Sequence, residues 1–187
     1  MTRRADLPLS RADFHAAKNV LLVKRKPALR IPFAPGQPPS VPANPREGDE
    51  VLLAVWDDGS VTALHGHVDL GTGIRTALAQ VVAEELDIDL SCINMVLGNT
   101  ASVPNQGATI ASASLQIHAA PLRAAAAQAR AWLVARAAAM NVLPTAHAEL
   151  LANQHIELLV DLATPLKPPA EHRIIGSSTP RLDIPAK

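Results

Sequence analysis

Two stretches of this chain carry residue types that could bind a ligand. One is Gly71-Thr72-Gly73, set between an apolar, β-branched run and a pattern of helical period. The other is "ATIASASLQ", in which Thr109, Ser112 and Ser114 stand among alanines just ahead of a second helical pattern. A helix start offers unpaired N–H donors and the positive end of the helix dipole. Glycines there let a ligand approach the main chain, and hydroxyls add hydrogen bonds, which is the physical logic of phosphate and dinucleotide sites. The Gly-Thr-Gly is not the six-residue dinucleotide fingerprint, because the third glycine is missing at the required offset. Taken alone, its plainer reading is a tight strand-to-helix turn. The plainer reading of the serine–alanine segment is close packing or capping.

Other reactive residue types point to less. His65 and His67 alternate on an expected strand and would face one side. No third ligand follows at a suitable spacing, so a surface or packing role is expected and no metal ligand is assigned. His118, near the start of an alanine-rich helix, is expected to be hydrogen-bonded and partly buried. The single cysteine, Cys92, excludes an internal disulfide framework or a zinc knuckle and reads as a small buried thiol. Asp57 and Asp58 are accounted for by a turn, and Trp56 and Trp132 by packing. Neither a Ser-His-Asp arrangement nor a phosphate-loop lysine motif is present, and no catalytic residue is assigned.

The elements that would position these residues follow from composition and periodicity. The chain has 187 residues, 48% of them hydrophobic but only 2% aromatic, with no tyrosine. Its core must therefore be built from Ala, Leu, Val and Ile. A net charge of zero argues against a nucleic-acid partner or an anionic membrane surface. Arg3 and Arg4 are followed by no apolar stretch, so an export signal is not expected. No apolar run approaches the roughly 18 residues of a membrane span. A cytoplasmic protein is the expectation.

Residues 1–48 read as an irregular, proline-rich arm, with "PFAPGQPPSVPANP" favouring polyproline II and the basic "VKRKPALR" reading as a solvated tail. "VLLAVW" and "SVTALHGHVDL" flank Asp57-Asp58-Gly59, a strong hairpin signal. Ile74, Leu78, Val81, Val82 and Leu86 then define a helix face, with Arg75, Gln80 and Glu84 outside it. "INMVLGNT" reads as a strand, completing a strand–helix–strand unit. From Ala119 to Ala139 twelve of twenty-one residues are alanine, which predicts a long helix whose face carries Leu122, Ala126, Ala129, Leu133, Ala137 and Met140. "HIELLVDL" reads as an edge strand and the remainder as an extended tail. The expected fold class is α/β (α+β): a small mixed sheet with two packed helices over about 49–141, irregular flanks, and a shortened connector over 142–187.

With these elements in place, "DDGSVTALHGHVDLGTGIRTALAQVVAEELDIDLSCINMVLGNTASVPNQGATIASASLQ" resembles the cofactor-binding domain of the molybdenum hydroxylases, the xanthine dehydrogenase and aldehyde oxidase superfamily. The nearest branch is the molybdopterin-binding large subunit of nicotinate dehydrogenase or isoquinoline 1-oxidoreductase type. The resemblance covers about Val51 to Ala139, and "RIIGSSTPRLDIPAK" is similar to the linker into the family's hammerhead-like domain.

The resemblance implies that Gly71, Thr72 and Gly73 lie beside the pterin of a molybdenum-bearing molybdopterin, in its simple or cytosine dinucleotide form. Many members carry Gln where Thr72 stands, and threonine has a shorter reach. It also implies that Thr109, Ala111, Ser112, Ala113 and Ser114 wrap the pterin and its phosphate. The implied partners are the rest of the molybdopterin subunit and a subunit carrying iron–sulfur clusters. The family's base glutamate lies far downstream, and Glu84 and Glu85 do not match it. The expectation is an opening segment of a large subunit that is inactive alone. The alternative is a non-catalytic remnant or half-domain that only associates with another polypeptide.

Overall fold

The computed structural model describes residues 3–7, 9–27, 48–182 and 184. The proline-rich stretch around Pro32–Pro45 lies outside them. Five strands form one mixed sheet: β1 Val20–Arg25, β2 Glu50–Trp56, β3 Val61–His65, β4 Ile93–Leu97 and β5 His155–Leu159, in the order β4-β3-β2-β1-β5. β1, β2 and β3 are antiparallel neighbours, while β4 runs parallel to β3 and β5 parallel to β1. Among the described residues five α-helices accompany the sheet: α1 Arg11–Ala16, α2 Ile74–Leu86, α3 Ala113–Gln116, α4 Ala119–Met140 and α5 His147–Leu150. The fold is mixed α/β, as the patterning predicts. β2 and β3 form the hairpin, with Gly59 at φ +79° in its turn. β3, α2 and β4 make a parallel β-α-β unit.

The sheet is covered on both faces. α2 and α4 pack on one, where Leu78, Val82, Leu122, Ala126 and Leu133 meet Leu21, Val55 and Met95. The other face holds Val20, Leu22, Ala54, Trp56 and Leu64 under Ala5, Phe14 and Val103. This explains why β2 reads as an unbroken apolar run rather than an alternation. Each fully buried Leu or Val stabilises the fold by about 1.5–3 kcal/mol. α2 and α4 end on Asp87 (φ +56°) and Asn141 (φ +55°), residue types that tolerate the left-handed cap.

The structure corrects several expectations. Residues 1–48 are not wholly irregular, because Val20–Arg25 forms β1, an interior strand of the sheet. Its basic end is not a solvated tail: Lys24 meets Glu157 at 2.6 Å and Arg25 meets Glu50 at 2.8 Å. Those carboxylates come from strands far away in sequence, so the compensation is invisible locally. Met140 is exposed, beyond the last turn of α4 that the core covers. Cys92 is only partly buried.

A further correction concerns Glu84, which stands outside the apolar face of α2 yet is buried together with Glu85. Both carboxylates bind the segment after β5. Glu84 accepts main-chain N–H bonds from Arg173, Ile174 and Ile175 at 2.6–2.9 Å and an ion pair from Lys167 at 3.1 Å. Glu85 accepts Arg123 at 2.6 Å and the Lys167 N–H at 3.0 Å. The tail expected to be an extended connector is thus strapped to α2 and α4. Gln80 also reaches Ile174 and Thr179, and Thr76 takes the Leu182 N–H.

Burial alone would push the Glu84 carboxyl up, but the three N–H groups and Lys167 outweigh it and hold it down at about 2. Because its folded value is depressed, the stability this group contributes is complete above its unfolded pKa of about 4.3 and is lost as pH falls toward 2. Glu84→Gln should lower unfolding stability at pH 7 by about 3 kcal/mol, the cost of breaking a buried charge pair. It should also flatten the decline between about pH 4.5 and 2. Urea titrations of both chains across that range test this, and an unchanged acid slope in the variant would contradict it.

Candidate functional site

The site is built where β3 ends. Three consecutive residues there engage the irregular loop after β4 and the start of α3. The Gly66 N–H donates to Gln106 Oε1 at 2.6 Å, His67 Nδ1 meets Ser114 Oγ at 2.8 Å, and the Val68 N–H donates to Thr109 Oγ1 at 3.0 Å. Gly66 has no room for a side chain, since a Cβ would overlap the Pro104 carbonyl oxygen. From the sheet, the buried Glu50 carboxylate accepts the Asn105 N–H at 2.7 Å, and Arg25 donates to the Asn105 carbonyl at 2.8 Å.

This lacing brings the two small-residue segments together around one open cavity of about 370 Å³. Thr72, Thr109, Ala111, Ser112 and Ser114 line it, and Val68, Leu70, Ile74, Ala77, Ile110 and Leu115 complete the wall. Gly71, Gly73 and Ala113 do not line it. Ala113 is buried behind the loop. The volume falls in the range of small-molecule clefts, about 300–1,000 Å³.

The two segments differ in what their main chains can offer. The Gly71, Thr72 and Gly73 N–H groups all donate to Asp69 Oδ1, at 2.9, 2.9 and 3.2 Å, and Arg75 N–H donates to Oδ2 at 3.1 Å. Burial works against the charge on Asp69, but these four donors prevail and hold its carboxyl below the usual range. The positive end of α2 is therefore already neutralised from within. Gly71 and Gly73 are needed for φ of +86° and +78° in the turn, and Gly71 has open space where a Cβ would stand. Of this segment, Thr72 alone faces the cavity. The signal for this arrangement is Asp69, two residues ahead of Gly71 at the spacing of an Asx turn.

The second segment remains open. Ala111 and Ser112 are consecutive non-glycine residues at φ +53° and +54°. Among the described residues, neither of their N–H groups has a hydrogen-bond partner. Left-handed non-glycine residues cost on the order of 1 kcal/mol each and persist where the surroundings impose them, often at ligand sites. Two free donors, the hydroxyls of Thr72, Thr109 and Ser112, and an apolar rim suit an anionic group rich in heteroatoms.

Behind the cavity lie three imidazoles. Ring centroids separate His65 from His67 by 5.3 Å, His67 from His118 by 4.6 Å and His65 from His118 by 6.3 Å. The third imidazole comes from the helix cap at His118, so sequence spacing gives no sign of it. Among the described residues no group of His, Cys, Asp or Glu could hold a metal ion. His65 Nδ1 accepts the His67 N–H at 3.2 Å. Burial pushes the His65 imidazole down to about 4, with His67 and His118 adding to the effect. The Ser114 main chain approaches closely enough to oppose part of that shift, yet not in hydrogen-bonding geometry, and Nε2 is left without a partner. Burial also lowers His118, with His67 and Arg25 contributing. Asp57, Asp58 and the tryptophans take no part: Asp58 caps the hairpin turn through Ser60, and Trp56 packs on Phe14.

A family model described as a molybdopterin cofactor-binding domain matches residues 31–166. A nicotinate dehydrogenase subunit of Pseudomonas putida is 47% identical over 175 residues, which cover 83% of this chain and 14% of that protein. Aldehyde oxidase 2 of Macaca fascicularis is 43% identical over 67 residues, covering 36% of this chain and 5% of that protein. A xanthine dehydrogenase of Oryza sativa is 42% identical over 67 residues, with the same coverage of 36% and 5%. The chain thus spans only a small part of the length of each of these relatives. Among the described residues no helix is long and apolar enough to cross a membrane.

Gly66→Ala should displace the loop, because the added methyl meets main-chain oxygen rather than a movable side chain. The expected cost is about 2 kcal/mol or more of unfolding stability. Hydrogen exchange at Val68 should accelerate as its bond to Thr109 fails. A variant of native stability with an unchanged Val68 amide would refute this account of the loop.

Proposed function

This chain belongs to the molybdopterin cofactor-binding domain family of the molybdenum hydroxylases, and on that premise we propose that the cavity between Thr72 and the 109–114 loop holds part of the molybdenum-bearing pterin. The observation that carries this reading is the convergence of Thr72, Thr109, Ala111, Ser112 and Ser114 on one cavity. The unpaired N–H groups of Ala111 and Ser112 fit the phosphate or another anionic edge of the cofactor. The hydroxyls fit its ring heteroatoms. Gly71, Gly73 and Ala113 act indirectly, by setting the turn and backing the loop. No residue of this chain is assigned proton transfer or nucleophilic attack. Glu84 and Glu85 are committed to the tail and serve no catalytic role.

The bound molybdenum supplies the oxidation–reduction chemistry, and this chain's own residues bind the cofactor and orient it. In the assembly we infer, the complete enzyme hydroxylates an N-heteroaromatic or aldehyde substrate with oxygen from water. Its electrons leave through iron–sulfur clusters on a partner subunit. The cofactor is molybdopterin or its cytosine dinucleotide form, and the compartment is the cytoplasm. The similarity to a nicotinate dehydrogenase subunit supports the heteroaromatic choice. The apolar residues at the cavity mouth, Leu70 at 69% and Ile110 at 63% exposure, support a site completed by further polypeptide.

Two preparations test this: the chain alone, and the chain produced together with the polypeptide that corresponds to the rest of the relative. Molybdenum and pterin should be retained by the pair at close to one per chain. Their absence from both would overturn the reading, and leave a remnant that associates without the cofactor. Ala111→Gly should raise unfolding stability by about 0.5–1 kcal/mol by relieving the left-handed strain. The same change should reduce cofactor retention several-fold, because the loop is no longer prearranged.

A further inference from the structure

We propose that His67 is a positioning residue that commits the Ser114 hydroxyl to accept, rather than donate, a hydrogen bond at the cavity. It thereby selects a ligand edge bearing N–H donors. The inference rests on the cofactor reading above for the identity of the ligand, which is a pterin-like heterocycle. Its first half rests only on geometry within the chain.

The His67 ring is 1% exposed and has two polar contacts. Nε2 lies 3.3 Å from the Gln106 carbonyl oxygen, and Nδ1 lies 2.8 Å from Ser114 Oγ. A carbonyl oxygen can only accept, so the first contact is a hydrogen bond only when Nε2 carries a proton. In a neutral ring that leaves Nδ1 as a lone pair, and the Ser114 O–H must donate to it. Among the described residues no carboxylate is hydrogen-bonded to the ring.

The acceptor is held from both sides. Gln106 gives its side-chain oxygen to the Gly66 N–H at 2.6 Å and its side-chain nitrogen to the His118 carbonyl at 3.4 Å. Its own carbonyl is thereby kept against His67. Two residues before it, His65 uses Nδ1 to accept the His67 N–H, which fixes the main chain that carries the ring.

The consequence appears at the cavity wall. Ser114 lines the cavity, and its single proton is spent inward. What it presents outward is a lone pair. Across the same wall, the Ala111 and Ser112 N–H groups can only donate. The site therefore has a polarity: donors toward an anionic or carbonyl-bearing edge, and an acceptor toward an N–H edge. A pterin ring carries both, with N–H and amino donors beside a carbonyl. A ligand with acceptors alone would leave Ser114 facing lone pair to lone pair, which costs more than losing one bond.

The Ser–His contact is not a nucleophile pair in this arrangement. The group beyond the imidazole is a neutral main-chain carbonyl, and no carboxylate is there to stabilise an imidazolium. His67 acts through Ser114 and does not touch the ligand.

The test uses the full chain labelled with ¹⁵N-histidine and two soluble probes: pterin-6-carboxylate, and the same compound with its ring N–H groups methylated. Long-range ¹H–¹⁵N spectra at neutral pH should show His67 protonated on Nε2 only. Ser114→Ala should shift the His67 Nδ1 resonance, and Ser114→Thr should restore it. In the wild-type chain, methylating the probe should weaken binding about tenfold, the scale of one well-placed hydrogen bond with a displaced donor. In Ser114→Ala the same methylation should change binding less than twofold. A His67 ring protonated on Nδ1, a charged ring, or an equal methylation penalty in both chains would overturn the proposal. If the unmodified pterin fails to bind even the wild-type chain, the cofactor reading and the ligand half of the proposal fall together. The tautomer, read separately, then decides the geometric half.

Discussion

Two main-chain N–H groups just beyond β3, those of Gly66 and Val68, are paired by side chains of the long irregular connection from Gly98 to Ala113, and this pairing ties the connection to the sheet. Gly66 and Val68 donate to the side chains of Gln106 and Thr109, and the His67 ring meets the Gln106 carbonyl and, just past the connection, Ser114. Everything that gives the cavity its shape depends on this. The loop carries the strained pair Ala111–Ser112, which local preference would not maintain. The sheet behind β3 supplies the rigidity, with Glu50 and Arg25 clamping Asn105 from β2 and β1. The site is therefore an extension of the sheet's hydrogen bonding into a region with no regular structure.

The two ligand-like motifs have opposite fates in the same cavity. Gly71-Thr72-Gly73 has the form of an anion site, yet Asp69 fills it with a carboxylate from the chain itself. The Ala111–Ser112 segment has no glycine to advertise it, yet it keeps its donors open. A helix start is thus an anion site only while no neighbouring carboxylate has claimed it. The distinction lies in one residue two positions upstream.

Much of the architecture can be read from residues that interact with near neighbours in sequence. The hairpin at Asp57–Gly59, the α2 and α4 periodicities and the edge strand near His155 all express local rules, and they match the structure. What escapes such rules is compensation over long separations. β1 reads as a tail because Lys24 and Arg25 find their carboxylates on β5 and β2, and Glu84 reads as a surface residue because its partners lie near residue 174. At the cavity, the resemblance of the 57–116 stretch to a known family singles out residues that line it, such as Thr72 and Ser114. The contribution of Gln106 and the approach of His118 could not be read there, since each depends on how the loop returns to the sheet.

The buried carboxylates of α2 also set an order of events during synthesis. Glu84 and Glu85 emerge about eighty residues before the main-chain N–H groups that satisfy them. At roughly 5–20 residues per second the interval is several seconds. Throughout it, α2 and α4 are available to pack on the sheet and Arg123 can reach Glu85, but Glu84 faces a surface that still lacks its donors. The nascent chain must keep that side hydrated, so this part of the core closes last. The strap from Lys167 to Leu182 acts as a completion mark, because a chain interrupted before it would carry Glu84 without its donors and Glu85 with Arg123 alone.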